Sequence, residues 1–420
     1  MATASLSISI PIVAWTIWIL LCGKCLDNAL HQLLVAASGS SDLQLKRAKA
    51  LRETRWWSST TTQASSNYSS ACYWDGITCN VGGIVIAINK SHYGLGGQLN
   101  KLNFSFFPNL DRLDLNWNFL TGFIPIEIGM LKNLVYLDLH SNMLVGPIPA
   151  TLSDLTNLEY LDLGLNYYIN GSIPPKIGML KNLTTLYLGS NMLVGPIPFI
   201  WDNLTNLKVL DLSQNKINGS IPSEIGMLKN LTFLYLYSNK LDGPIPITLG
   251  HLTNLEYLDL HQNQINGFIP PEIRMLKNLT SLYLSSNMFV GPIPSTLSHL
   301  TNLESLGLSR NKINGFIPPE IGMLKNLIIL GVSSNMLIGP IPFSLGHFTN
   351  LKHLDLSRNK INVSIPSEIG MLKYLSYVNL SHNFISGEIP SALGSIAPLL
   401  TLDLSYNNLT GNIPSSLTGI

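Results

Sequence analysis

The chain has 420 residues, of which 46% are hydrophobic and only 12% charged, with a formal net charge of +1 at pH 7. So little charge, with no cluster of Lys or Arg, excludes the electrostatic footprint of a nucleic-acid binder, and so much apolar surface excludes a disordered chain. The length suggests two or three globular domains, unless one short unit is stacked many times.

The first element is an uncharged apolar run from Leu6 to Cys22, closed by Lys24. It fits the hydrophobic region of a secretory signal peptide and is short for a membrane span; no Lys or Arg precedes it, so an uncleaved anchor stands as the alternative. Small residues at Val35-Ala36-Ala37 place the expected cut after Ala37, giving a signal peptide over 1–37, with a cut nearer Cys25 as the alternative. Cys22 and Cys25 leave with it. Residues 38–83 form the next segment and carry Cys72 and Cys79. A lone cysteine pair behind a signal reads as a disulfide; its spacing is not Cys-x-x-Cys and no second ligand pair supports zinc.

From residue 110 a pattern leucine-x-x-leucine-x-leucine-x-x-asparagine-x-leucine-x-glycine-x-isoleucine-proline returns thirteen times, its asparagines at Asn118, Asn142, Asn166, Asn191, Asn215, Asn239, Asn263, Asn287, Asn311, Asn335, Asn359, Asn383 and Asn407. Each step is 24 residues except Asn166 to Asn191, which is 25. A degenerate unit, Ile84 to Leu99, precedes them. Leucines two apart send their side chains to one face of a short strand, so stacked units make one parallel sheet. The asparagine follows that strand, where its amide both donates to and accepts from turn backbone, and a stack of such amides forms a buried ladder. The predicted fold class is an α/β-type repeat solenoid over 84–420, with its parallel β-sheet on the concave face. No single unit buries its leucines alone.

A longer period overlies the first. Units alternate between Met-Leu-Lys-Asn-Leu, as at Met227 to Leu231, and Leu-Thr-Asn-Leu, as at Leu252 to Leu255. The recurrence of His251, His299 and His347 is therefore better explained by copying of a two-unit block than by chemistry.

With its Gly-x-Ile-Pro signature the pattern resembles the plant-specific class of extracellular leucine-rich repeats, over roughly residues 45 to 420. Ala48 to Leu51, Trp56-Trp57 and Cys72-Tyr73-Trp74-Asp75-Gly76-Ile77-Thr78-Cys79 resemble the N-terminal cap of that class, in which the two cysteines pair. The ectodomains of plant leucine-rich-repeat receptor kinases are similar, including the male discoverer-interacting type. That resemblance implies a surface glycoprotein, secreted or on the extracellular face of the plasma membrane, that perceives a peptide or protein ligand on its inner surface, together with a co-receptor kinase ectodomain. The chain departs from that pattern at Ile420, inside a unit, with no second cysteine pair, membrane run or kinase sequence. It is expected to be a truncated solenoid without a C-terminal cap, with membrane association only through a missing C-terminal segment or an uncleaved signal. A secreted inhibitor of a microbial cell-wall-degrading enzyme, similar to the polygalacturonase inhibitors, is the alternative. No catalytic motif or cofactor signature is present, so no enzyme activity is expected. Val363 replaces the glycine of its unit and is expected to disturb that turn.

Residues alternating with the strand leucines line the concave side, about 4.8 Å from unit to unit. The middle of that surface is aromatic: Tyr136, Tyr160, Tyr187, Phe233, Tyr235, Tyr237, Tyr257 and Tyr283, with His140 and His261 among them. Such rings offer large contact area at low entropic cost and are the expected ligand-binding residues, although strand preference and duplication account for tyrosine as well. Asp114, Asp138, Asp162, Asp211, Asp259, Asp355 and Asp403 fall in the same outward set, where adjacent carboxylates attract a cation or a basic ligand. No metal site and no acid–base pair is assigned to them. Some receptors of the class hold a terminal carboxylate with two arginines on one strand; Arg310 and Arg358 lie two units apart, so that pair is missing. Sequons at Asn67, Asn89, Asn103, Asn170, Asn182, Asn203, Asn218, Asn230, Asn278, Asn362, Asn379 and Asn408 are expected glycosylation sites. Asn379 falls on the inner face, so the expected contact region is the first eight units.

Overall fold

A computed structural model describes residues 42–57, 70–201 and 203–417. The expected signal peptide over 1–37 and the sequon at Asn67 lie outside the described residues. What it shows is the expected solenoid. Among the described residues, fifteen strands form one sheet. The first two, Ile77–Cys79 and Val85–Asn89, pair antiparallel, and from Val85–Asn89 onward all neighbours are parallel. Register never slips between repeats: Leu137 pairs with Leu161, Leu161 with Leu186 and Leu186 with Leu210. These leucines and their partners two residues on, such as Leu139 and Leu163, are wholly buried.

Each repeat leaves the sheet through a turn built on its asparagine. Asn142 Nδ2 donates to Leu139 O at 3.1 Å in its own turn and to Leu115 O at 2.9 Å in the preceding one, while its Oδ1 accepts from Leu120 N at 3.0 Å. The side chain thus satisfies buried backbone groups of two turns at once, which is the ladder expected from the sequence. The residue before the asparagine is left-handed in every repeat, with φ between 50° and 57°, whether it is Trp117, Ser141, Leu165, Gln214 or Arg310. Backbone strain of this kind persists only where surroundings over-determine it, and the asparagine ladder does so here.

The extra residue of the 25-residue step is absorbed after this turn. Tyr167 takes φ 61° and the strand register is preserved. One hydrogen bond is lost in exchange: Asn191 Oδ1, which should accept as Asn142 does, is buried without a partner.

The glycine of Gly-x-Ile-Pro then turns the chain at φ between +69° and +81°, and a second, lateral parallel ladder follows, as in Lys216–Ser220 against Lys240–Asp242. Val363 was expected to disturb this turn and does not, for it holds φ +71° with its side chain pointing to solvent and Lys360–Val363 still pairs with both neighbours. The cost is borne as torsional strain in one residue. The return path on the convex side is a five-residue 3-10 turn, such as Ile126–Met130 or Ser223–Met227, because two ladders consume most of each repeat. Residue types there follow packing: a Cβ on Gly178 would overlap Ile200 O of the next turn.

At the N-terminal end a helix over 42–53 buries Ala48, Ala50 and Leu51 with Trp56, Trp57 and Trp74 against the first units. Cys72 and Cys79 are joined by a disulfide beside it. Lys90 is buried there with its ammonium 3.0 Å from Asp75 and 3.9 Å from the centre of the Tyr93 ring. No described helix is long and apolar enough to cross a membrane.

Candidate functional site

The concave sheet carries its outward side chains in separate columns, because residues two apart on a strand share a face without sharing a neighbour. Tyr136, Tyr160, Phe233 and Tyr257 fall in the first column, with Arg112, Thr185 and Val209. Tyr187, Tyr235 and Tyr283 fall in the second, alternating in register with Asp162, Asp211 and Asp259. That alternation is the two-unit super-repeat made visible. Tyr237 belongs to a third position, two residues beyond the strand's Tyr235, with His140 and His261 as counterparts.

All eight expected aromatic residues are half-buried; seven of them meet one another in two groups, and Tyr237 stacks on His261. In the first, the Arg112 guanidinium lies 3.6 Å from the Tyr136 ring, which stacks on Tyr160 at 4.4 Å and 7°, and Tyr160 meets the edge of Tyr187 at 6.2 Å. In the second, Phe233, Tyr235, Tyr257 and Tyr283 follow at 5.0 to 6.3 Å, with Tyr237 stacked on His261 at 4.7 Å. The strand Val209–Asp211 separates the groups. Rings held by one another lose little further freedom on meeting a partner.

The aspartates depart from expectation. Asp114, Asp138, Asp162 and Asp259 are almost wholly buried rather than displayed. Each carboxylate bends back to its own turn or to a neighbour: Asp138 accepts from His140 N at 3.0 Å and from Asn116 Nδ2 at 2.8 Å, Asp162 from Gly164 N at 2.8 Å, and Asp114 is paired with Arg112 at 2.8 Å. The acidic residue of Leu-Asp-Leu is thus in large part a turn-capping device. Asn379 does the same work, accepting from Ser381 N at 3.0 Å. Its Nδ2 also donates to the Tyr377 hydroxyl at 3.3 Å, so this sequon amide is engaged within the inner face, whereas Asn170, Asn218, Asn362 and Asn408 are exposed on the lateral ladder.

Crowding of carboxylates and rings shapes the electrostatics. Burial, then Asp138 and Asp114, push the Tyr136 hydroxyl up to about 12, and burial with Asp162 pushes Tyr160 up as well. These phenols stay protonated donors at any physiological pH. Burial raises the carboxyls of Asp138 and Asp211 above the usual range. Among the described residues no group of three His, Cys, Asp or Glu side chains is placed to hold a metal ion.

Sequence reasoning missed one part of this surface. Trp117, more than half exposed, stacks on His92 at 5.6 Å and lies 6.0 Å from His140, continuing the aromatic surface over the rim of the sheet. It occupies the left-handed position before Asn118, which reads as ordinary turn sequence. Arg310 and Arg358 occupy the same rim position, exposed and on different repeats.

Family models described as Leucine Rich Repeat match residues 109–131, 133–155, 302–324, 350–372, 374–396 and 398–420. A leucine rich repeat model matches 246–289 and a two-copy model 205–247. No curated protein sequence matches. Among solved structures the chain is similar to the plant peptide hormone receptor RGFR1 in complex with RGF2, at 34% identity and a TM-score of 0.70, covering 82% of this chain and 66% of that one. It is similar to PEPR1 in the PEPR1–AtPEP1 structure at 31% identity and a TM-score of 0.79, covering 89% of this chain and 56% of that one. It also resembles a leucine-rich-repeat protein of Leptospira interrogans at 33% identity and a TM-score of 0.59, over 77% of this chain and 85% of that one. The chain therefore spans about half to two thirds of the length of the two receptors.

Proposed function

The chain belongs to the leucine-rich-repeat family, and on that premise we propose that it is an extracellular, receptor-type binding module whose concave face receives a peptide or protein ligand. One observation carries the reading: eight aromatic side chains, pre-stacked and half-buried, cluster on the inner strands between Tyr136 and Tyr283. Such rings are the usual anchors of protein interfaces. The named partners of the two similar receptors, RGF2 and AtPEP1, support a ligand of the same general kind. A co-receptor ectodomain that joins once the ligand is seated belongs to the same reading.

The test is a screen of a secreted-peptide library against the glycosylated protein, with the hit titrated calorimetrically against a Tyr235→Ala/Tyr283→Ala variant. Loss of two interface anchors is expected to weaken binding about thirtyfold or more at unchanged melting temperature. Leu236→Ala, which empties a wholly buried position between two of the tyrosines, is expected to damage the fold first. Unchanged affinity in a folded double tyrosine variant would overturn the reading.

A further inference from the structure

The two aromatic groups stop on either side of a notch of about 410 Å³. His140 walls it on one side and Tyr237 on the other, and Asp162, Tyr187 and Asp211 face into it over Gly164 and Gly189. At the glycine position the flanking repeats carry Asn116, His140, Ser213, Tyr237 and His261. Neither glycine has a positive φ, so backbone geometry does not require them. They remove two adjacent side chains from a single place.

Carboxylates fill the space so released. A Cβ on Gly189 would lie 2.9 Å from both carboxylate oxygens of Asp211, and one on Gly164 would lie 3.1 Å from Asp162 Oδ1 and 3.2 Å from His140 Nδ1. Two acids of the face are answered by a basic side chain, Asp114 by Arg112 at 2.8 Å and Asp259 by His261 at 2.7 Å, while Asp138, Asp355 and Asp403 accept from neutral turn groups. Asp162 accepts from Gly164 N and the Tyr160 hydroxyl, and the basic group beside it is the His140 imidazole at 3.3 Å. Asp211 accepts from Ser213, and among the described residues it pairs with no Lys, Arg or His. Between these two carboxylates, in register with both, stands Tyr187.

We propose that this notch is a subsite for an arginine side chain of the ligand, its guanidinium lying against the Tyr187 ring between the Asp162 and Asp211 carboxylates. This rests on the concave face being the ligand surface. Asp162 and Asp211 lie two strands apart, about 10 Å between backbones, with the Asp211 carboxylate beside Gly189 and Asp162 Oδ1 turned to the Gly164 amide and His140. A planar group with five donors and an aromatic-stacking face meets that arrangement better than a compact ammonium. The surroundings are consistently negative: Asp162, Asp138 and Asp211 all favour the protonated form of His140, and Asp162 and Asp211 that of Tyr187.

The test uses N-acetyl-arginine amide as the probe and its neutral isostere N-acetyl-citrulline amide as control, observed by saturation-transfer NMR with the full glycosylated protein. Two variants accompany it. D162N/D211N removes the charge while keeping the turn, as Asn379 already does natively with Ser381. G164S/G189S fills the notch with the residue that Ser213, Ser285 and Ser309 place there in other repeats. The arginine probe is expected to bind at least about fivefold more tightly than the citrulline probe, and both variants are expected to abolish the difference. Equal binding of the two probes, no binding of either, or a preference that survives both variants would overturn the proposal. Since the probe is independent of the natural ligand, such a failure leaves the concave-face reading standing, and that reading falls only by the tyrosine variant.

Discussion

His140 and Asp162 face each other across adjacent repeats, imidazole Nδ1 3.3 Å from carboxylate Oδ1. That contact, more than the nearby charges, raises the histidine's pKa above the ordinary 6.5. His353, stacked at 4.1 Å on Tyr377, is shifted the other way, because burial disfavours its charged form.

The two histidines therefore oppose each other in pH dependence. A raised folded pKa gives His140 a stabilising contribution that is complete below 6.5 and lost as pH rises through the folded value. A lowered one gives His353 a contribution that is complete above 6.5 and lost as pH falls toward the folded value. Imidazole proton NMR is expected to show His140 titrating above 6.5 and His353 below it, with Asp162→Asn moving His140 down and leaving His353 unchanged. Titration of both at one pH would contradict this.

Rungs of the asparagine ladder should not be equal. Asn166 is wholly buried, donates to Leu139 O, Leu163 O and Gly164 O, and accepts from Leu144 N. Asn166→Ala leaves Leu144 N without an acceptor and takes one of two donors from each carbonyl, since Asn142 also serves Leu139 O, Asn191 serves Leu163 O and Ser141 N serves Gly164 O. It is expected to cost about 1–3 kcal/mol in urea unfolding. Asn191 makes the same three donations but its Oδ1 has no donor. Asn191→Ala is expected to cost measurably less; equal losses would contradict the accounting.

Val363→Gly is expected to stabilise the protein. A β-branched residue held at φ +71° bears strain of roughly 1–2 kcal/mol, part of which is returned as glycine's greater unfolded-state entropy. A net gain of up to about 1 kcal/mol follows, read as a higher melting temperature. The reverse change, Gly315→Val, meets Pro292 at 3.2 Å as well as the unfavourable torsion, and is expected to lower it.

Repetition made much of this protein legible in advance. Leu137, Leu161 and Leu186 announce an inward-facing sheet because strand side chains alternate with period two, and thirteen copies average away the ambiguity of any one. Asn142 and its counterparts announce the ladder because only an amide serves donors and acceptors together. Cys72 and Cys79 announce their bond, and Tyr136 to Tyr283 announce an aromatic inner surface. These properties depend on a residue's own repeat.

Properties that depend on the neighbouring repeat were decided by the tertiary structure alone. Periodicity places Asp162 and Tyr160 on the same face without saying that the carboxylate meets His140 of the preceding repeat while the ring stacks on Tyr136. It leaves Trp117 as turn sequence, although ladder geometry holds it left-handed at the rim beside His92. Gly164 and Gly189 are two separate small residues until stacking sets them side by side and opens a notch onto Asp162 and Asp211. The physical reason is common to all three. One repeat specifies the direction of its side chains, but contacts, burial and field at each arise from the units above and below, and those are set only when the stack closes.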